Sequence, residues 1–381
     1  MLPLEGFRVL DLTHVLAGPC ATHHLRCLGA EVIKVERPGT GDPMRELGVR
    51  PEMEGVPPGF RALNAGKRSI VLDLTTLEGR SALLRLARNV DVFVENFRPG
   101  VAKRLGLGPD DVRAVQPKVI YCSISGWGQA GSNSARRAYD HVIQAATGMM
   151  ALQSAPGTNA PVKVGFPVVD IATGVSAAEA ILAAVIRRLR GDLSPIAIDV
   201  AMVDSALSLM SGPAAATLAT GRAPERVGNR GFVGSPGAET FATSDGYISV
   251  AANTMRQFAT LCHALGKPSL SGPPHVPAGL SPDAFLTNLA TDGLRRELSQ
   301  AFAAADAGTL ETELNAQGVP AARVRDLHEY LRELYVDTPG FGIDGEPFAF
   351  GPAFRWVGGE PIALPPAPRL GADTATLLAD G

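Results

Sequence analysis

Six short runs rich in Val, Ile and Leu, spaced by stretches of helical character, constrain this fold more than any other feature: residues 7–13, 31–36, 69–74, 91–97, 118–126 and 196–202. Each is of strand length, and the segments between them read as helices. Gly18-Pro19 opens a helix that runs to Leu28 and stops at Gly29. Residues 75–90 form a second, with Thr75 and Glu78 in a capping-box pattern. From Asp170 to Arg190 the chain is one long Ala/Ile/Leu helix. Its last turn carries Arg187, Arg188 and Arg190, where positive charge suits the helix dipole. Such alternation predicts βαβ units around a parallel sheet covered on both faces. The expected fold class is therefore α/β, with a Rossmann-like layout. The Rossmann fingerprint itself is missing. No G-x-G-x-x-G follows the first strand and no G-x-x-x-x-G-K-[ST] occurs, which argues against a dinucleotide dehydrogenase or a P-loop enzyme.

At roughly 100–200 residues per domain, 381 residues leave room for two domains. A formal net charge of −3, with 45% hydrophobic and 19% charged residues, excludes a disordered chain. The same balance gives no electrostatic footprint for nucleic acid or an anionic membrane. The 42 Gly and 30 Pro are aperiodic and above average usage, so they indicate turns and close backbone approaches. Cys20, Cys27, Cys122 and Cys262 have no metal-ligand spacing and read as reduced thiols of a cytoplasmic protein, with no metal expected. No signal-peptide pattern opens the chain. The most apolar segment, 171–186, is interrupted by Glu179 and falls short of the roughly 20 residues a membrane span needs.

Residues 212–237 are rich in Gly, Pro and Arg and make the best domain boundary. Residues 240–253 read as a hairpin turning at Asp245-Gly246. Helical segments continue to about Gln317, and a Pro/Gly-rich stretch follows from Pro339 to Arg369.

Several stretches together resemble family III CoA-transferases, which include formyl-CoA transferase and carnitine CoA-transferase. They are THVLAGP (13–19), EVIKVERPGTGDPMR (31–45), NAGKRSIVLDL (64–74) with VENFRPGVAKRLGLG (94–108), and AYDHVIQAATG (138–148) with PVVDIATG (167–174). GVPAARVRDL (318–327) is similar as well. The resemblance implies an interlocked homodimer whose subunits have a large Rossmann-like domain and a smaller α+β domain. It places residues 1–211 in the large domain and 212–325 in the smaller one with its linkers; residues 326–381 return to the large domain. The activity it implies is transfer of CoA from an acyl-CoA to a free carboxylic acid, with the CoA thioester as substrate and no permanently bound cofactor.

Asp170 lies between the extended VGFPVV segment and the long helix. Taken alone it is a candidate N-cap, and capping would account for it. The same position favours an ionised carboxylate, which can act as a nucleophile. The resemblance implies the second role: the matching aspartate attacks the acyl thioester to give a mixed anhydride, and the CoA thiolate returns to form an aspartyl-CoA thioester. CoA contacts implied by the resemblance fall on Leu16, Ala17, Arg37, Leu72 to Thr75, Asn96, Phe97, Arg98, Arg104, Arg137, Tyr139 and Asp140. Arginine can grip phosphate oxygens bidentately, although an exposed arginine is usually only solvated. Those arginines that follow strand ends stand where α/β proteins bind ligands.

Some residues depart from the family pattern. Leu16 stands where formyl-CoA transferase has Gln. The family's glycine run is replaced by GNRGFVGSPG (228–237), so Gly228, Asn229, Arg230 and Gly231 read either as linker or as a mobile lid whose arginine recognises a dicarboxylate. Both changes argue against formyl-CoA and oxalate as the natural pair. The related 2-methylacyl-CoA racemases use a His-Asp pair where this chain has Tyr139, with His141 two residues on, about 200° round a helix. Transfer is therefore favoured over racemisation, and a non-catalytic CoA-binding homologue is the remaining alternative. A pair between His14 and Asp11 is conceivable, though loop structure accounts for both. Trp127 packs near the thioester or simply in the core.

Overall fold

The computed structural model describes residues 2–47, 56–153, 160–231, 234–335, 343–345, 351–354, 356–358 and 362–379. The chain separates into two compact units. The larger contains residues 1–151, 161–224 and 339–381; the smaller contains 152–160 and 225–338. The divisions after Pro224 and Thr338 lie beyond the expected 211 and 325. At the first, residues 211–220 form a helix that packs with the preceding helix of the larger unit, where a linker was expected.

The larger unit begins β1 (Arg8–Asp11), α1 (Ala17–Cys27), β2 (Glu31–Glu36), α2 (Pro58–Asn64), β3 (Arg68–Val71), α3 (Leu77–Ala87) and β4 (Val92–Glu95). It continues α4 (Val101–Arg104), α5 (Pro109–Val115), β5 (Ile120–Ser125), α6 (Asp140–Ala146), α7 (Val168–Leu189), β6 (Ile196–Ala201), α8 (Met202–Leu209) and α9 (Ser211–Thr220). All six strands pair in parallel in the order β3-β2-β1-β4-β5-β6, so the chain reverses direction across the sheet between β1 and β4. Ligands of open α/β sheets bind outside the carboxyl ends of the strands at such a reversal.

The period-2 pattern of the strands divides the core into two layers. Val9, Val32, Val94, Cys122 and Ile124 face α1 and α7, meeting Ala21, Leu25, Ala177 and Ile181. Leu10, Ile33, Ile70, Phe93 and Tyr121 face the other way, onto Leu83 and Leu86 of α3, Val112 of α5, and Leu377 of a helix at Thr374–Ala379. Burying each such side chain contributes about 1.5–3 kcal/mol. Tyr121 brings its hydroxyl inside as well and donates it to the Leu107 carbonyl at 2.9 Å.

α7 has 22 residues and is apolar enough to cross a membrane by length and composition, so the expectation that this segment falls short is corrected. Its apolarity has another use. Helix α7 packs against α1, β5 and β6, and Gly174 lets α1 come close. A Cβ added there would sit 2.6 Å from Cys20 Cβ and 2.8 Å from the Ala17 carbonyl oxygen, so even alanine would force the helices apart. α3 starts one residue later than the capping-box pattern implied. Thr76, not Thr75, is its cap and accepts from the Gly79 amide, because Asp73 engages the Thr75 hydroxyl at 2.6 Å.

In the smaller unit, β7 (Gly237–Ala242) and β8 (Tyr247–Ala252) form the expected antiparallel hairpin, and β9 (Ala321–Arg323) pairs along β8. Helices Met255–Ala264, Asp292–Ala303 and Ala307–Ala316 cover this sheet around Phe241, Phe258 and Phe302. The four cysteines are buried free thiols.

Candidate active site

The loop joining β1 to α1 is fixed by buried charges. Asp11, fully buried, accepts at Oδ1 from the amide and hydroxyl of Thr13, and at Oδ2 from the Thr22 hydroxyl and the Lys67 ammonium at 3.1 Å. Lys67 also donates to the Pro19 carbonyl and the Thr22 hydroxyl, so all three of its donor positions are used. Burial pushes the Asp11 carboxyl up, but Lys67, Lys34 and the two hydroxyls outweigh it and leave it lowered to about 2. Lys34, on the neighbouring strand, donates to the Thr13 carbonyl at 2.8 Å and pairs with Asp42 at 2.8 Å. Asp42 in turn accepts from the Val15 amide at 3.1 Å. The side-chain amide of Asn96 clasps His14 in both directions, accepting from its amide at 2.9 Å and donating to its carbonyl at 2.8 Å. Val15 needs this restraint, because its φ of +70° is a strained conformation for a β-branched residue.

Outside the carboxyl ends of β1 to β4 lies a cavity of about 160 Å³, with Leu12, Val35, Leu72 and Phe97 as apolar walls. His14, Glu36, Arg37, Asp73 and Thr75 supply its polar lining. His14 Nδ1 is buried with no hydrogen-bond partner, and burial followed by the Lys34 charge lowers the imidazole pKa. The conceivable His14–Asp11 pair is therefore not formed. Asp11 turns to Lys67, and His14 opens on the cavity. Arg37 donates from Nε to the Gly41 carbonyl, and Arg98 and Arg104 are exposed beside the α4 turn.

A larger groove of about 480 Å³ lies elsewhere, between α1, α7 and residues 352–354. Val175, Leu182, Ile186 and Phe354 make it almost wholly apolar, with His24 and Glu179 its only charged or titratable lining among the described residues. Size alone would favour it, but it lacks the convergent polar groups of a ligand site.

The first turn of α7 completes the picture. Asp170 is not its N-cap. Pro167 holds that position and offers no side-chain hydrogen bond. Asp170 sits inside the turn, half-buried, and its carboxyl is raised to about 7 by burial and then by the neighbouring Asp140. The oxygen of Asp140 reaches from α6 to the Val169 and Asp170 amides at 2.7 and 3.0 Å. One turn along, Gly174 abuts Ala17 and Cys20 of α1. The β1–α1 loop thus runs from the cavity, at His14, to the start of α7, at Ala17.

Of the residues implied by the resemblance, Arg37, Leu72, Thr75 and Phe97 line the cavity, and Asn96 holds its loop. Leu16 and Ala17 end that loop. Arg137 is exposed, Tyr139 is 68% exposed and stacks on His141 at 6.4 Å, and Asp140 is buried. Trp127 lies under the Arg136 guanidinium at 4.1 Å. Gly228, Asn229, Arg230 and Gly231 belong to the smaller unit and are tied to β7. There Asn229 accepts from the Thr240 amide, Gly231 donates to the Ala238 carbonyl, and Arg230 donates from Nε to Val227. Phe232 and Val233 lie outside the described residues. Sequence reasoning missed the buried Lys34 and Lys67. The signal available, for Lys34 alone, was a lysine set among Val32, Ile33 and Val35 of the EVIKVE strand, which buries its charge only if paired. Among the described residues, no group of three or more His, Cys, Asp or Glu side chains is arranged to hold a metal ion.

The chain matches CoA-transferase family III over residues 4–374. It is similar to the succinyl-CoA:glutarate CoA-transferase of Mus musculus, with 34% identity over 99% of this chain and 86% of that one. It is also similar to the succinate–glutarate CoA-transferase of Agrobacterium fabrum, with 34% identity over 99% and 95%. Among solved structures, a CAIB/BAIF family protein from Brucella suis superposes with a TM-score of 0.86 at 32% identity, covering 100% of this chain and 99% of that one.

Proposed function

This chain belongs to CoA-transferase family III and is a CoA-transferase; from that premise we propose that it moves CoA from an acyl-CoA to a dicarboxylic acid, with Asp170 as the covalent nucleophile. The observation that carries the reading is the Asp170 carboxyl itself. It stands in the first turn of a long helix, half-buried, on the element that meets the end of the cavity loop. A carboxylate whose pKa is raised to about 7 is a stronger nucleophile than a solvated one and is still ionised in good part at neutral pH.

An Asp170 oxygen attacks the thioester carbonyl carbon, the C–S bond breaks, and CoA leaves as thiolate from a mixed anhydride. The thiolate then attacks the aspartyl carbonyl, releasing the donor acid as carboxylate and leaving an aspartyl-CoA thioester. The acceptor carboxylate attacks that thioester, and the thiolate liberated takes the acceptor acyl group from the second anhydride. Asp170 is regenerated, and no electrons are exchanged. The cavity at the strand ends fits an aromatic, polar-edged part of CoA, with Arg37, Arg98 and Arg104 as candidate phosphate contacts. A dicarboxylic acceptor is supported by the relatives, whose names specify glutarate and succinate.

The test is a panel of carboxylic acids offered with succinyl-CoA and read by mass spectrometry. We expect a new acyl-CoA in step with succinate release, and glutarate among the acids accepted. Deuterium entering the α-carbon from D₂O without movement of CoA would instead identify a racemase and sink this reading. The reading includes a homodimer, as the family resemblance implies. Leu189, Leu207 and Leu218 are 73%, 53% and 88% exposed on α7, α8 and α9, an apolar surface that supports cover by a second copy. A monomer in sedimentation at micromolar concentration would remove that part.

A further inference from the structure

The first turn of α7 is held from outside its own helix. Asp140, 9% exposed, accepts at Oδ2 from both the Val169 and the Asp170 amides, at 2.7 and 3.0 Å. Its Oδ1 accepts from Nε2 of Gln144 at 2.5 Å, and Oε1 of Gln144 accepts from the Val164 amide at 2.9 Å. One carboxylate therefore satisfies two of the four amides that a helix start leaves without partners, and Gln144 extends the hold to the segment leading into α7. All three contacts require an acceptor, which an ionised carboxylate supplies at both oxygens.

We propose that Asp140 is a positioning residue for the Asp170 carboxyl, an inference that rests on Asp170 being the nucleophile. Asp140 fixes the backbone of the residue that reacts. By occupying the two nearest amides it also withholds them from the Asp170 carboxylate, and it sets a second negative charge beside that group. All of this disfavours the charged form of Asp170 and leaves it more basic. The raised carboxyl, driven first by burial and then by Asp140, agrees with that arrangement.

Other elements packed against α7 bring little that competes. Cys20 of α1 is a buried thiol pushed up to about 11, and Cys122 of β5 is buried and pushed up further, so both are neutral. His141 of α6, Asp199 of β6 and Asp204 of α8 are exposed. Burial and Asp140 are the influences that act on Asp170.

The test compares wild type, D140N, D140E and D170N by carbon-13 NMR of carboxyl-labelled aspartate and by the pH dependence of adduct formation from succinyl-CoA. The resonance missing from D170N belongs to Asp170. Its midpoint, near 7 in the wild type, should fall by about one pH unit or more in D140N. The acidic limb of the rate profile should move with it, and the plateau rate should drop about ten- to a hundredfold as the turn loosens. D140E keeps the charge but not the reach, so its midpoint should stay near the wild-type value while its plateau falls. An unmoved midpoint in folded D140N overturns the proposal. If D140N does not fold, an undiminished plateau in D140E overturns it. A fully active D170N would sink the nucleophile reading instead, which the NMR midpoints distinguish from failure of the Asp140 proposal.

Discussion

Asp170→Asn is expected to lower the turnover rate of transfer by at least about a thousandfold, because an amide cannot attack the thioester and the first covalent step is lost. CoA binding should survive, since Asp170 does not line the cavity at the strand ends. Steady-state rates together with calorimetric titration of CoA separate the two effects. Hydroxylamine added after acyl-CoA should give an aspartyl hydroxamate on the wild type and none on the variant. Residual activity above a tenth of wild type would refute the covalent mechanism. The variant should also change stability in a pH-dependent way. A carboxyl held near 7 in the fold takes up protons more readily than the same group in the unfolded chain, so its ionisation costs stability. That cost is absent below about pH 4 and complete above about pH 8. Asp170→Asn should therefore resist urea better than wild type at pH 8 and lose this advantage near pH 4. An enzyme that carries such a group accepts reduced stability in return for reactivity.

Lys67→Met should be among the most destabilising single changes in the larger unit. The ammonium it removes is fully buried and faces Asp11, whose carboxylate has no access to water. Leaving a buried charge without its partner costs about 3–5 kcal/mol, and two further acceptors, the Pro19 carbonyl and the Thr22 hydroxyl, lose a donor. The loss should appear in urea unfolding followed by tryptophan fluorescence, and CoA binding should weaken as the Thr13–Ala17 loop loosens. Removing the Asp11 charge together with the ammonium, in Asp11→Leu/Lys67→Met, should restore much of the stability, because an apolar pair of similar volume avoids the desolvation cost. A loss below about 1 kcal/mol in the single variant would show that Lys34 compensates for Lys67. On the acid side the sign is fixed by Asp11. With its carboxyl lowered to about 2, it contributes stability above the ordinary carboxylate pKa and loses that contribution as pH falls toward 2.

The frame of this protein could be read in advance because its signals are local. The EVIKVE run is β2 with the same limits, and the Ala/Ile/Leu stretch that reads as a helix over 170–190 is α7 at 168–189. Side-chain periodicity carries that information along the chain itself. The parts that could not be read depend on partners distant in sequence. Thr75 and Thr76 are equally good caps on composition, and Asp73 decides between them. Asp170 has the residue type and position of an N-cap, yet the helix begins two residues before it, and its first-turn amides at Val169 and Asp170 are taken by a carboxylate 29 and 30 residues earlier. Lys34 is invisible to periodicity because a paired charge occupies a strand position the pattern assigns to an apolar side chain, and Lys67 stands just before β3, outside any periodic run. For the cavity, the resemblance named Arg37, Leu72, Thr75 and Phe97 separately. Their meeting at one place follows from the strand order, which brings the ends of β2, β3 and β4 around β1.

The helix at Thr374–Ala379 lies against β3, where Asp373 takes the Arg68 side chain and the Ser69 amide, and Thr374 takes the Val71 amide. These bonds span 303 to 305 residues of sequence. During synthesis, then, the outermost strand of the parallel sheet leaves the ribosome long before the segment that covers it. The continuous run 225–338 of the smaller unit is made in the interval and can fold first. Until residue 373 emerges, the apolar side of β3 stays open to chaperones or to misplaced strands. The slow step in making this protein is therefore expected to be the docking of residues 373–379 on β3, not the assembly of the strands around the cavity.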